Sequence, residues 1–415
     1  MLATQRGEHQ HQNRRISFVL LRTVWCFGFG RALVMKISGR DVGDGHPVFV
    51  VAEIGQNHQG SLEVAKRMIV KAKELGADCV KFQKSCLTAK FTRNALRKPY
   101  SGANSWGSTY GDHKAFLEFS LEDYKELQRF CAKQDILFSA SVMDPVSLQQ
   151  LLELRVPFIK IGSGDADNVP MLRTAAAATT IPLIVSTGMQ SWSQVQNIHS
   201  IFKGHPSAAL LHCISAYPTP PEQALLNLVS LYKSHFPELV VGYSGHELGL
   251  QLSVASVLAG ARIVERHFTL DKSWKGTDHR ASLDPEEFGR LVRYVRAVEG
   301  MNVEGERIVE VLSSVLEARD YNREELELAL RSVTGEDRKL LASEEACHRK
   351  LGKSLVFAGD FAKGHTLKEE DVAVKVSNPH GLSPTWYDQV VGRTVARDCR
   401  QDEPICGEDV AGSFG

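Results

Sequence analysis

Two lysines, two histidines and a scatter of serines in this chain stand where chemistry could be done. Lys81 and Lys160 each lie inside a short β-branched run, and His246 and His267 fall at the ends of two others. Ser141, Ser163, Ser186, Ser215 and Ser244 sit at the ends of such runs, close to Gly162, Gly164 and Gly188. Two ammonium groups facing one mouth, with hydroxyls and glycine N–H groups around them, make a cradle for an anion carrying a phosphate and a carboxylate. A lysine that merely neutralises a neighbouring Glu or Asp gives the same signal taken singly; the pair favours the anion. Two neutral imidazoles from adjacent strands would hold one divalent metal and leave positions open for water and substrate. Against this, two histidines without HxH or HExxH spacing are often only hydrogen-bonded. Glu53, Asp165 and Asp278 are candidate acids or bases, with Tyr217 at a further strand end, although a strand-end carboxylate that only pairs a lysine is about as common.

Such residues need a frame that gathers them at one rim. From Val48 onward, short β-branched runs alternate with stretches of helical period, the pattern of parallel βα units. Strands are expected at 48–54, 79–83, 136–141, 158–161, 182–186, 209–214, 240–244 and 263–269. Eight strands imply an α/β fold of the (β/α)8 TIM-barrel class, whose active sites lie at the C-terminal strand ends. Cap chemistry agrees: Ser120 with Asp123, Ser191 with Gln194 and Thr219 with Glu222 each place an oxygen three residues before an acid or amide. Asp144-Pro145 and Asp284-Pro285 put proline at a first helical position. Leu62, Ala65, Met68, Ile69, Ala72 and Leu75 form the sheet-facing stripe of a helix over 61–75.

The chain has 415 residues and a barrel takes about 250, so a second, smaller domain is expected. The alternation stops after Val298. Residues 35–299 read as the barrel, 300–346 as a helical linker carrying an insertion, and 347–415 as a small β-rich domain. In that tail, Thr366-Leu367-Lys368-Glu369-Glu370-Asp371-Val372 is echoed by Pro404-Ile405-Cys406-Gly407-Glu408-Asp409-Val410, which suggests internal pseudo-symmetry. Residues 1–34 are Arg-rich with Glu8 as the only acid, and their apolar run is broken by Arg22 far short of the roughly 20 residues that span a bilayer. They read as an organelle-targeting segment or as a leader ahead of Met35, and are left out of the fold. With 49 basic and 49 acidic side chains, the chain lacks the charge excess that nucleic acid or an anionic membrane would attract. The eight cysteines are scattered without CxxC spacing, which fits a reducing cytoplasm.

Six motifs follow one another in order: Ala52-Glu53-Ile54-Gly55-Gln56-Asn57-His58, Val80-Lys81-Phe82-Gln83, Phe158-Ile159-Lys160-Ile161-Gly162-Ser163-Gly164-Asp165, Ser186-Thr187-Gly188-Met189, Tyr243-Ser244-Gly245-His246 and Glu265-Arg266-His267. In sequence and spacing they resemble the sialic acid synthases, from about Met35 to the C-terminus, and the tail from Lys350 resembles the antifreeze-like (SAF, β-clip) domain of that family. The resemblance implies a transferase that condenses phosphoenolpyruvate with N-acetylmannosamine or its 6-phosphate. It implies Mn2+ or Mg2+ on His246 and His267, and phosphoenolpyruvate on Lys81, Lys160, Ser163, Ser186 and Ser244, with Ser141 and Ser215 added from their strand ends. Asp165, at a position often Glu in bacterial members, is the choice for general acid or base, with Glu53, Lys81, Lys160 and Tyr217 completing the catalytic set. Glu53, Tyr217 and Asp278 match positions beside the sugar or the metal. The basic stretch 91–114, with Arg93, Arg97, Lys98, Tyr100 and Lys114, would hold a sugar 6-phosphate, a solvated loop being the bland alternative.

A domain-swapped homodimer is also implied. Where bacterial members send an Arg into the neighbouring subunit, this chain offers Lys375. Residues 300–327 have no counterpart in the family pattern. Two other classes compete: a non-catalytic sugar- or ice-binding barrel, against which the intact Lys81, Lys160, His246 and His267 argue, and a Schiff-base aldolase needing no metal.

Overall fold

The computed structural model describes residues 34–412 except 302 and 304. The expectation for residues 1–34 therefore falls outside the described residues, Val34 apart. The chain enters through an antiparallel hairpin, β1 (Val34–Ile37) and β2 (Arg40–Gly43). Eight parallel strands then close a barrel: β3 (Phe49–Gly55), β4 (Cys79–Lys84), β5 (Leu137–Val142), β6 (Ile159–Ile161), β7 (Leu183–Ser186), β8 (Ala208–Cys213), β9 (Val240–Gly245) and β10 (Ile263–His267). The expected TIM barrel is thus present, each strand pairing the next and β10 returning to β3.

Side chains alternate across a strand, so the barrel interior is read at every second residue. Near the strand starts that face is apolar, with Phe49, Val51, Cys79, Phe158, Ile184 and Ile263 in one cluster, and Met35, Ile37 and Val42 of the hairpin packed into it. Two residues further along, the same face turns polar: Glu53 follows Val51, Lys81 follows Cys79, Lys160 follows Phe158, Ser186 follows Ile184, and Glu265 follows Ile263. The opposite face, including Val50, Ala52, Ile54, Val80 and Phe82, packs on the surrounding helices. One strand pattern therefore builds both a sealed floor and a charged mouth.

The helices start largely where the caps placed them. Ser61 accepts from the Val64 N–H ahead of helix Leu62–Glu74, and Ser120, Ser191 and Asp284 each close a capping box. Thr219 is the exception. Its hydroxyl turns back to the carbonyls of Ile214 and Ala216, and the next α-helix begins only at Leu228.

Residues after the barrel form part of its wall. Helices Arg307–Val315 and Arg323–Ala329 lay Ile308, Val309, Leu312, Leu326 and Ala329 on the main core. Between them Asp320, its side chain 6% exposed, accepts from Arg290 Nε at 2.8 Å and from the Tyr294 hydroxyl at 2.9 Å. Asp320→Ala strips a partner from a buried guanidinium and is expected to cost about 3 kcal/mol. A lowered denaturant midpoint checks this; an unchanged midpoint would mean the segment is not part of the folding unit.

The C-terminal region pairs β11 (Ser354–Phe357) with β12 (Val372–Lys375) over its own core of Leu355, Phe357, Leu367, Val374, Val390 and Ile405. The sequence echo is a structural one. Asp371 accepts from the Lys368 N–H at 2.9 Å and Asp409 from the Cys406 N–H at 2.7 Å, and Val372 and Val410 follow each turn into the core. This region sits on the barrel through a short seam, with Val376 N–H donating to Lys90 O at 2.8 Å and Thr92 N–H to Val376 O at 3.0 Å.

Candidate active site

Lys81 and Lys160, each 2% exposed, reach into the barrel mouth from β4 and β6. Lys81 Nζ pairs with Glu53 and donates to Ser141 Oγ at 2.9 Å, while Lys160 Nζ donates to Ser186 Oγ at 2.7 Å. Glu265 stands opposite, 3.7 Å from Lys81 and 3.5 Å from Lys160, and accepts from Ser244 Oγ at 3.1 Å. Burial disfavours the Glu265 carboxylate, yet Lys160 and Lys81 hold its pKa down to about 2. For Lys160 the balance falls the other way: burial, with Lys81 adding to it, lowers its pKa against the pull of Glu265. Ser163 and Ser215 hydroxyls meet at 2.7 Å beside this group.

A second lysine group lies nearer the rim. Asp165, on the turn after β6, pairs with Lys353 from the start of the C-terminal region, and burial raises its carboxyl above the usual range despite Lys353 and Lys90. Lys353 also donates to Met143 O at 2.7 Å. Lys90 has the Met143 sulfur at 2.8 Å, and burial lowers its pKa to about 8. Lys114 donates to Gln56 Oε1 at 2.8 Å; burial first, then Lys90 and Lys350, bring it down to about 7. Among the described residues neither Lys90 nor Lys114 has a carboxylate within ion-pair distance. Together the cavity holds six lysines against four carboxylates, Glu53, Asp165, Glu265 and Asp278.

His246 and His267 face one another with ring centroids 5.6 Å apart, and the Tyr217 ring lies 4.1 Å from His246. His246 Nδ1 stands 2.8 Å from the Ile214 carbonyl, which can only accept, so the proton sits on Nδ1 and Nε2 keeps its lone pair. Burial drives the His246 pKa to about 3, so the ring is neutral. His267 Nδ1 is buried without a hydrogen-bond partner. One imidazole with a fixed tautomer and one with an unspent buried nitrogen fit a divalent cation. Among the described residues no three or more His, Cys, Asp or Glu side chains gather as a closed cage, so further ligands would come from water and substrate.

One cavity of about 480 Å³ gathers Glu53, Lys81, Ser141, Lys160, Ser163, Asp165, Ser186, Ser215, Tyr217, Ser244, His246, His267 and Asp278. Two residues expected beside the sugar, Arg93 and Lys98, are placed elsewhere in the chain. Arg93, its side chain 61% exposed, lies 3.4 Å from Asp402, and Lys375 is bound by the same Asp402 and by Thr88 O, both at 2.8 Å. Lys98 is exposed and off the cavity. The cause is the path of the chain: after Phe91 the basic stretch runs outward against the C-terminal region, and only Lys114 returns, on helix Tyr110–Leu117. Glu265, Lys90, Lys350, Lys353 and Gln56 line the cavity without having been singled out. Glu265 was within reach of the alternation, two residues before His267; Lys90 and Lys353 carry no local signal.

Comparison with known proteins agrees on both the barrel and the C-terminal region. The NeuB family matches residues 68–307, and the SAF domain matches residues 352–411. The N-acetylneuraminate-9-phosphate synthase of Drosophila melanogaster is 47% identical over 378 residues, covering 90% of this chain and 98% of that protein. Its Homo sapiens counterpart is 45% identical over 371 residues, covering 89% and 94%. Among solved structures, the Bacillus subtilis spore coat polysaccharide biosynthesis protein SpsE matches with a TM-score of 0.72 at 27% identity, over 92% of this chain and 100% of that one. With barrel, C-terminal domain and full-length relatives in agreement, the chain belongs to the NeuB family and is a sialic acid synthase.

Proposed function

We propose that this enzyme condenses phosphoenolpyruvate with N-acetylmannosamine 6-phosphate to give N-acetylneuraminate 9-phosphate and inorganic phosphate. The observation that carries the choice of a phosphorylated sugar is the second lysine group: Lys90 and Lys114, with Lys350 at the rim, face the cavity without acid partners among the described residues. A phosphate monoester dianion supplies the charge they lack.

Lys81 and Lys160, with Ser141, Ser163, Ser186, Ser215 and Ser244, hold the carboxylate and phosphate of phosphoenolpyruvate. Glu53, Tyr217 and Asp278 orient the open-chain sugar. C3 of the enol attacks the aldehyde carbon, forming the new C–C bond; water then adds at C2, and the C–O bond breaks to release phosphate. Asp165, whose carboxyl burial favours in the protonated form, holds or takes the proton in that exchange. NeuB-family synthases are metal-dependent, and here His246 and His267 would hold Mn2+ or Mg2+, which when bound polarises the aldehyde oxygen. The enzyme works in the cytoplasm as a homodimer; in a domain-swapped form, the Lys90–Val376 seam seen within one chain would be made in trans.

The test is a product assay with the free sugar and its 6-phosphate, under Mn2+, Mg2+ and chelator. The 6-phosphate should be strongly preferred. Lys114→Ala should raise KM for it by about 10- to 100-fold, the loss of one charge-assisted contact, and leave KM for the free sugar unchanged. Equal use of both sugars by the unaltered enzyme would defeat the phosphorylated reading.

A further inference from the structure

The ion pair Arg338–Glu344 comes from the segment that joins the barrel to the C-terminal sheet. Both side chains are 0% exposed and approach to 3.2 Å. Arg338 donates to the Thr187 carbonyl at 2.5 Å and to the Lys339 carbonyl at 2.8 Å. Glu344 Oε1 accepts from the Met189 N–H at 2.7 Å and from the Ser215 N–H at 2.9 Å, and Oε2 from the Leu341 N–H at 3.2 Å. A fully buried carboxylate is costly unless every lone pair is matched, and this one is matched by backbone of two separate strand-end loops.

Those loops carry the anion-side hydroxyls. Thr187 and Met189 follow Ser186 at the end of β7, and Ser215 follows β8 and shares a 2.7 Å hydrogen bond with Ser163. The packing between them leaves no slack: a Cβ at Gly188 would run into Ser215 Oγ and come within 2.9 Å of Ser163 Cβ. A shift of the β8 loop against the β7 loop therefore moves Ser163, Ser186 and Ser215 relative to one another. Arg338 neutralises Glu344, so the clamp adds no net negative charge beside the anion.

We infer that Glu344, held by Arg338, is a positioning residue for the Ser163, Ser186 and Ser215 hydroxyls, so that the segment joining barrel and C-terminal domain sets the affinity for the enol phosphate. This rests on the proposed seating of phosphoenolpyruvate against those serines. The test uses the full chain and Glu344→Gln, which keeps size but removes the charge. Two readouts are taken: amide hydrogen exchange at Met189 and Ser215, and phosphoenolpyruvate affinity by calorimetry together with KM for each substrate. The expected result is faster exchange at both amides and an affinity for phosphoenolpyruvate lowered by about 10-fold or more, with KM for the sugar and kcat within about twofold. Asp320→Ala is the control for lost stability away from the mouth, and should leave phosphoenolpyruvate affinity unchanged. Unchanged exchange, unchanged affinity, or an equal loss in Asp320→Ala overturns the inference. An unaltered chain that binds no phosphoenolpyruvate defeats the proposed seating itself, a result distinct from failure in the variant alone.

Discussion

His267→Ala is expected to lower turnover by about 1,000-fold or more with the fold retained. On the proposed chemistry His267 would hold a divalent cation whose Lewis acidity would supply several kcal/mol, and each 1.4 kcal/mol is about a factor of ten in rate. Alanine forfeits the buried ring's packing against Tyr217 and His246 but no hydrogen bond of its Nδ1, which has no partner. Two measurements check the result: kcat under saturating Mn2+, and Mn2+ binding to the substrate-free protein by calorimetry. Both should fail together. Normal metal affinity with lost turnover would move His267 from metal ligand to substrate contact, and retained turnover would remove it from the reaction.

Glu265→Gln should lower kcat/KM for phosphoenolpyruvate by about 100-fold and shift the alkaline limb of its pH profile to lower pH. The sign follows from the charges around Lys160. Burial and Lys81 already lower the Lys160 pKa below the ordinary value, and Glu265 is the chief counterweight. Without that carboxylate the pKa falls further, so the ammonium form survives only at more acidic pH and is lost as pH rises through the new value. On the proposed seating, anion binding by Lys160 is present below that point and absent above it. A pH profile of kcat/KM for phosphoenolpyruvate that keeps its alkaline limb in place would show that Glu265 does not govern the lysine.

Local pattern carried most of the barrel. Short β-branched runs such as 48–54 and 263–269 mark the strands, because a strand buried on both faces reads as a near-continuous apolar run bounded by polar residues. Caps at Ser120, Ser191 and Asp284 were equally local, whereas Thr219 failed because a hydroxyl bonds whichever backbone group lies nearest, and here those were Ile214 O and Ala216 O. The site divided along the same line. Strand-end residues were found, since topology alone brings them to one rim. Lys90, Lys353 and Glu344 were not, because Lys90 stands on a short helix after β4 while Lys353 reaches the mouth, and Glu344 the loops behind it, from beyond the barrel, where no period marks the destination. Arg93 and Lys98 show the converse: a basic stretch after β4 has the right composition, but its course against Asp402 and the C-terminal region takes it away from the cavity.

The hairpin Val34–Gly43 makes the barrel a cul-de-sac, since Met35, Ile37 and Val42 stopper the end opposite the mouth. All traffic then uses one doorway, and whatever lodges deepest must come in first and go out last. On the proposed chemistry the enol phosphate queues ahead of the sugar, and the freed inorganic phosphate waits behind the sugar acid until that product has cleared the exit.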